Sequence, residues 1–320
     1  MKKTILLLLI LAAASAGLFA QQERHYTQFM YNKLPINPAY SGARNVPFAT
    51  AIYRNQWMGF DGAPKSVLAS FNSPFISERV GIGVTMSHFQ IGLDKEFAAS
   101  LAYSYNLIGE GDFSLRAGIM GSVRSLSMDF TKAMPANTGG DQSLDTDKSS
   151  SFYANVGAGL YATFEDKYYV GFSVPKMYSN NISLDNQSAH LIAKEYQHFY
   201  GMAGAVLPLN DDFNLMPAML VKYVKNAPLD IDLNVNLEIQ NKITAGLSYR
   251  VGGDGPGESI DLLLFWKAHE QFGVGVAYDL TLSDVKDYTA GSIEVLIQVD
   301  LKRSGKSGIR GGMSNPRFFM

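Results

Sequence analysis

The sequence predicts an all-β chain: a transmembrane antiparallel β-barrel of about fourteen strands, preceded by a non-strand segment that lies in the lumen or in the periplasm. Three observations predict it. Bulky apolar residues alternate with small or polar ones in stretch after stretch. The connections between these stretches are short or long according to their parity. Charged residues make up only 18% of the chain, against about 25% in an average soluble domain, while aromatic residues reach 12%, with 17 Tyr, 19 Phe and 30 Gly.

The first element is a leader. Lys2 and Lys3 precede an apolar run from Ile5 to about Ala14, and small residues follow. A charged front, a short apolar stretch and a small-residue exit make residues 1–20 a secretory signal peptide. Cleavage after Ala20 leaves Gln21 at the front, and Ala14-Ser15-Ala16 is a second cleavage site. An uncleaved anchor is the competing reading, opposed by the shortness of the run. The chain has no cysteine, hence no disulfide and no lipid-anchored front. No later segment approaches the roughly 18 uninterrupted apolar residues of a membrane helix. Removing the leader leaves 25 basic against 29 acidic residues, a net charge of −4, a balance that does not suggest nucleic acid. The expected address is a Gram-negative outer membrane with both termini periplasmic.

Residues 21–47 form the second element. They show no alternation, and Pro35, Pro38 and Pro47 discourage regular pairing. They are expected to plug the bore or to stay in the periplasm.

Residues 48–302 form the wall. Residues 97–107 read FAASLAYSYNL. Phe97, Leu101, Tyr103, Tyr105 and Leu107 fall on one face, and Ala98, Ser100, Ala102 and Ser104 on the other, because successive side chains of a strand point to opposite sides. Similar segments of about ten residues recur, and their sum is the barrel signature. The fourteen strands are expected over 48–58, 65–73, 79–89, 94–107, 112–127, 150–164, 167–174, 196–207, 212–224, 230–239, 242–251, 258–267, 271–282 and 290–302. The lipid face is the bulky one. The inward face is mostly Ser, Gly, Ala, Asn and Thr, with charge mainly in the tenth strand and the last. Such small residues leave room for something to fill the bore.

Numbered in order, the even connections are short, as at Gly109-Glu110-Gly111, Glu165-Asp166 and Gln240-Asn241. The two long ones, 128–149 and 175–195, are odd. Outer-membrane barrels keep short turns in the periplasm and long loops outside, whereas a soluble sandwich has no reason to sort loops by parity. Residues 303–320 form a basic tail with Arg303, Lys306, Arg310 and Arg317 and no acid, closing on Phe318-Phe319. It reads either as a frayed end or as a periplasmic contact or plug-like return into the lumen.

No catalytic constellation emerges. No two of the five histidines stand four apart on a helix face, and there is no nucleophile elbow or phosphate loop. Asp230 and Asp232 share a strand face, which a polar lumen explains better than a cation. Asp141, Asp145 and Asp147 lack the ligand order and closing Glu of a calcium loop. No metal, cofactor or enzymatic activity is expected.

The residues outside the alternating pattern are more specific. Gln28-Phe29-Met30-Tyr31-Asn32 is followed by Ile36-Asn37-Pro38-Ala39-Tyr40-Ser41-Gly42, then by Tyr53-Arg54-Asn55-Gln56-Trp57-Met58-Gly59-Phe60 and Gly62-Ala63-Pro64. Further on stand His198-Phe199-Tyr200-Gly201, Ser248-Tyr249-Arg250 and Asn315-Pro316-Arg317-Phe318-Phe319. Together and in this order they resemble the PorP/SprF family of Bacteroidetes outer-membrane proteins, associated with the type IX secretion system. The resemblance implies a barrel that does no chemistry. Some members belong to the secretion and gliding machinery and meet its periplasmic lipoproteins. Others serve large secreted adhesins through a C-terminal sorting domain.

The candidate partner-binding or plug-stabilising residues are Asn37, Pro38, Tyr40, Tyr53, Arg54, Gln56, Trp57, Gly59, Phe60 and Pro64, with Arg303, Lys306, Arg310, Arg317, Phe318 and Phe319 as the tail contact. If Tyr53 and Trp57 face outwards, Arg54 and Gln56 face the lumen, where they bond the folded-in segment or a partner. Trp57 suits the aromatic girdle at the outer interface. The leading function is docking of a secreted adhesin or of periplasmic machinery. The alternative is a transport barrel for a small or hydrophobic solute.

Overall fold

The computed structural model describes residues 24–44, 46–110, 112–129, 148–186, 189–225, 227–252 and 257–301. The signal peptide, Asp141, Asp145, Asp147 and the tail 303–320 lie outside them. Among the described residues no helix is long and apolar enough to cross a membrane.

The wall begins with β1 (Phe48–Asn55), β2 (Lys65–Phe75), β3 (Ser77–Ile91), β4 (Asp94–Glu110), β5 (Phe113–Asp129), β6 (Lys148–Phe164) and β7 (Tyr168–Val174). A separate hairpin follows, β8 (Asn181–Asn186) with β9 (Ala189–Lys194). The wall resumes with β10 (His198–Ala205), which the two-residue β11 (Leu207–Pro208) extends, then β12 (Phe213–Val224) and β13 (Asp230–Ile239). It ends with β14 (Ile243–Val251), β15 (Ser259–His269), β16 (Phe272–Thr281) and β17 (Ser292–Asp300). Each wall strand pairs antiparallel with its neighbours, β10 bonds β12, and β1 bonds β17 from Phe48↔Asp300 to Asn55↔Ile293. The result is a closed barrel of fourteen wall strands, as expected, because closure pairs every edge that would otherwise expose backbone to lipid.

The alternation falls as the sequence reading has it. Phe97 is 51% exposed and Leu101 63%, while Ala102 and Ser104 are buried. At one end the connections are tight. Glu165 and Asp166, and likewise Gln240 and Asn241, all have φ near +50°, as a two-residue hairpin matched to strand twist requires. Among the described residues the longer connections, 56–64, 282–291 and the one that holds residues 181–194, lie at the opposite end.

Three differences are local. β1 stops at Asn55 and not at residue 58, because Trp57 takes φ +53° and turns the chain. The second long connection contains the β8–β9 hairpin, whose six-residue strands are shorter than the repeat that marks the wall. β7 spans only seven residues against seventeen for β6, and pairs with it only from Ala158↔Val174 to Phe164↔Tyr168. Beyond that point residues 177–180 take over the edge of β6: Met177 N–H donates to Val156 O (2.8 Å), and Asn155 Nδ2 donates to Tyr178 O (2.8 Å).

Candidate functional site

Residues 24–44 run through the inside of the barrel. Short polar and proline-containing sequence gives two one-turn 3-10 helices, Phe29–Tyr31 and Pro38–Tyr40. Asn37 caps the second one: its Oδ1 accepts from Ala39 N (2.9 Å), Pro38 takes the first helical position, and Asn37 Nδ2 donates to Leu160 O on β6 (2.9 Å). Proline there forfeits no intrahelical hydrogen bond. Phe29, Met30, Tyr31, Leu34, Ala39 and Tyr40 are buried against inward-facing wall residues. The Tyr31 ring stacks on Phe265 (4.5 Å), and Tyr40 meets Phe48 and Tyr161 edge-on. Lys33 is buried; its Nζ donates to Met30 O (2.8 Å) and lies 4.5 Å from the Tyr169 ring centre, a placement that the quadrupole of the ring favours.

The small wall residues make the space for this segment. A Cβ on Gly81 would stand 2.0 Å from Ser41 O, and one on Gly159 would stand 2.2 Å from Asn37 Oδ1. Around the turn at Ser41 and Gly42, Ser104 Oγ donates to Ser41 O (2.6 Å), and Gly42 N–H donates to Asn72 Oδ1 (2.6 Å). At the short-turn end Arg44 pairs with Asp300 (2.9 Å) and covers the Phe48 ring.

Toward the long-connection end the segment enters an ionic cluster. Thr27 N–H and Gln28 N–H each donate to a carboxylate oxygen of Glu294 (both 3.0 Å). Thr27 Oγ1 donates to Asp279 (2.9 Å) and accepts from Arg54 (3.0 Å). Arg54 also pairs with Asp279 (2.5 Å) and Glu294 (3.2 Å). Beside it, His25 contacts Asp232 (3.1 Å), Lys222 pairs with Asp230 (3.1 Å), and Arg250 pairs with Asp232 (2.6 Å). Inward charge is therefore spread over β1, β4, β5 and β12 to β17, more widely than the tenth and last strands. Pairing makes it tolerable, since an unpaired buried charge costs several kcal/mol. Asp230 and Asp232 thus serve ion pairs, and among the described residues no group of three or more His, Asp or Glu stands placed to hold a metal.

The structure brings some of the sequence-derived candidates together and separates others. Asn37, Pro38 and Tyr40 lie in the bore, and Arg54 faces the bore from the wall, against Thr27. Tyr53 faces outward. Gln56 and Trp57 lie beyond the end of β1, so alternation no longer sets their direction. Both are half-buried in the β1–β2 connection, where Gln56 N–H donates to the O of buried Pro64 (2.9 Å) and Trp57 N–H donates to Ser292 Oγ (3.2 Å). Gly59, at φ +92°, and Phe60 are exposed in the same connection. The residues that sequence reasoning left out are Thr27, Glu294 and Asp279. An acid at an inward strand position was the available signal for the last two.

The direction of the segment is also distinctive. Its first described residue, Arg24, lies at the long-connection end, where its guanidinium donates to Ser87 Oγ (2.9 Å) and covers the Phe89 ring. The chain then descends the bore, leaves it at Arg44 and enters β1 at the short-turn end.

A closed fourteen-strand antiparallel barrel with a lipid-type outer face and a bore filled from its own N-terminal side defines an outer-membrane barrel protein. Its sequence matches the model of the family described as type IX secretion system membrane protein PorP/SprF over residues 18–299, and the chain belongs to that family. No curated protein matches it. Among solved structures, the Pseudomonas putida toluene transporter TodX is similar at 9% identity and a TM-score of 0.49, with 85% of this chain and 94% of that one covered. The Acinetobacter baumannii outer membrane protein Omp33 is similar at 6% identity and a TM-score of 0.47, covering 80% and 98%.

Proposed function

We propose that this barrel serves type IX secretion as a docking module, with its rims and not its bore as the working surfaces. It holds either a secreted surface adhesin, through that partner's C-terminal sorting domain, or periplasmic lipoprotein components of the machinery. The observation that carries this reading is the occupied bore: residues 24–44 are bonded to β1, β2, β4, β6, β16 and β17 along its length. The long-connection end faces outside and the short turns face the periplasm, as loop length in outer-membrane barrels suggests. The barrel does no chemistry. Affinity purification of the full chain from native outer membrane tests this. Co-purification of a large exported protein or of periplasmic components supports docking, and recovery of the barrel with neither class overturns it.

The alternative, transport of a small or hydrophobic solute, is favoured by one observation, a cavity at the long-connection end. A large steady ion current through purified protein in a planar bilayer would select it.

A further inference from the structure

Above the N-terminal segment, in the long-connection half of the bore, lies a cavity of about 560 Å³. That is within the range of small-molecule sites, roughly 300–1,000 Å³. Segment and wall build it together: Phe29 and Ile36 of the segment meet Leu68, Met120 and Leu220 of the wall, and the lining is mainly apolar. The small face of residues 97–107 is thus divided, with Ser104 bonded to the segment and Ser100 lining the cavity.

Across one wall of the cavity runs a row of neutral polar residues. Ser70, Thr85, Ser100, Ser122 and Asn155, on β2 to β6, stand directly opposite one another strand by strand, about 4.8 Å apart. The two ends of the row are bonded within the protein: Ser70 Oγ donates to Asn32 Oδ1 (3.0 Å), and Asn155 Nδ2 donates to Tyr178 O (2.8 Å). The middle of the row, Thr85, Ser100 and Ser122, lines the cavity. Thr85 is only 8% exposed, and its Oγ1 has no hydrogen-bond partner among the described residues. A buried hydroxyl left unpaired is costly, and valine would fill the same space without that cost. Charge begins nearer the long connections. One inward position beyond the row, Ser87 accepts from Arg24 (2.9 Å), and Arg124 is held by Glu96 (3.6 Å) and Glu195 (3.1 Å).

We infer that the cavity binds an uncharged, mainly apolar molecule that carries a carbonyl or hydroxyl oxygen, of the ketone or alcohol type. That oxygen bonds the Thr85 hydroxyl, and the apolar body lies over Phe29, Ile36, Met120 and Leu220. The segment beneath is the floor of the site. The inference goes beyond the docking reading and does not rest on it, because binding to the purified chain needs no protein partner.

The test is fluorescence titration of the full-length protein in lipid nanodiscs with prodan, an uncharged naphthyl ketone, measured against discs without protein. Saturable one-to-one binding is expected. The analogue with a propyl chain in place of the propionyl group lacks the oxygen and should bind about fivefold more weakly, the loss of one neutral hydrogen bond. Thr85→Val should weaken the ketone to the level of the propyl analogue and leave that analogue unchanged. The same variant should keep or raise the urea midpoint in liposomes, because it removes an unpaired buried hydroxyl. Ser100→Trp, which fills the cavity from the wall, should remove both ligands, and unchanged heat-modifiable migration identifies variants that have folded. The analogue with a carboxylate in place of the propionyl group should bind no more tightly than the ketone. No saturable signal above empty discs, equal affinity for ketone and propyl analogue, undiminished ketone binding by Thr85→Val, full binding by folded Ser100→Trp, or tighter binding of the carboxylate overturns the inference. So does a Thr85→Val variant that loses stability along with binding, which assigns the hydroxyl to the fold.

Discussion

Arg54 on the first wall strand stands directly opposite Glu294 on the last, and Thr27 of the N-terminal segment bonds to both. The seam that closes the barrel is therefore bridged by a side-chain pair and clasped from inside by the segment. At the other end of the same seam Phe48 pairs with Asp300, whose carboxylate holds Arg44.

Removing one partner of that buried pair should be expensive. Arg54→Ala leaves Glu294 and Asp279 facing each other without their cation, and breaking a buried pair typically costs about 3–5 kcal/mol. The expected outcome is a matching fall in stability in equilibrium urea unfolding from liposomes. Adding Glu294→Gln should restore part of the loss, because residues of one network do not behave additively. A double variant as unstable as the sum of the singles would show that the pair does not couple.

Clearance for the segment can be tested at glycine. Gly159→Val places a side chain where Asn37 Oδ1 lies, and it should displace the segment, raising ion conductance and exposing residues 24–44 to protease. Gly121→Val is the control, since a Cβ there meets nothing within 4 Å. Equal behaviour of the two variants in planar bilayers and in limited proteolysis would contradict the close fit.

The outer face carries a depth-dependent prediction. Leu101 lies mid-strand in β4 and faces outward. Leu101→Arg should cost about 2–4 kcal/mol if this position is near the bilayer midplane, read as a lower urea midpoint in liposomes. The same substitution at Phe60, in an exposed connection, should cost far less.

The basic tail carries a prediction about partners. If residues 303–320 dock an acidic periplasmic component, their deletion should reduce capture of that component in pull-downs. Added salt should do the same, because exposed charges are screened within about 10 Å at 0.1 M. Salt-insensitive capture, with no loss on deletion, removes the tail from the docking account.

Several features were legible in the sequence because they are local. Alternation in FAASLAYSYNL identifies a strand and its two faces, since period two is a property of consecutive residues. The turn pairs Glu165-Asp166 and Gln240-Asn241 mark hairpins for the same reason. The motif residues Asn37, Pro38 and Tyr40 stand out as unlike a wall strand. Alternation failed at Gln56 and Trp57, where a left-handed backbone ends β1 and with it the basis for assigning a face.

The sequence by itself determined a barrel wall of fourteen strands, which face meets lipid, and that the inward face leaves room. Tertiary structure decided what occupies that room and in which direction. Arg54 and Glu294 are 240 residues apart, and no local pattern sets their register; ring closure does. Arg24 reaches the long-connection end because Glu294 accepts there from the backbone of Thr27 and Gln28 while Arg54 and Asp279 bond the Thr27 hydroxyl. Satisfying buried charges and buried N–H groups is a condition on the whole fold, and only the closed barrel shows which groups meet.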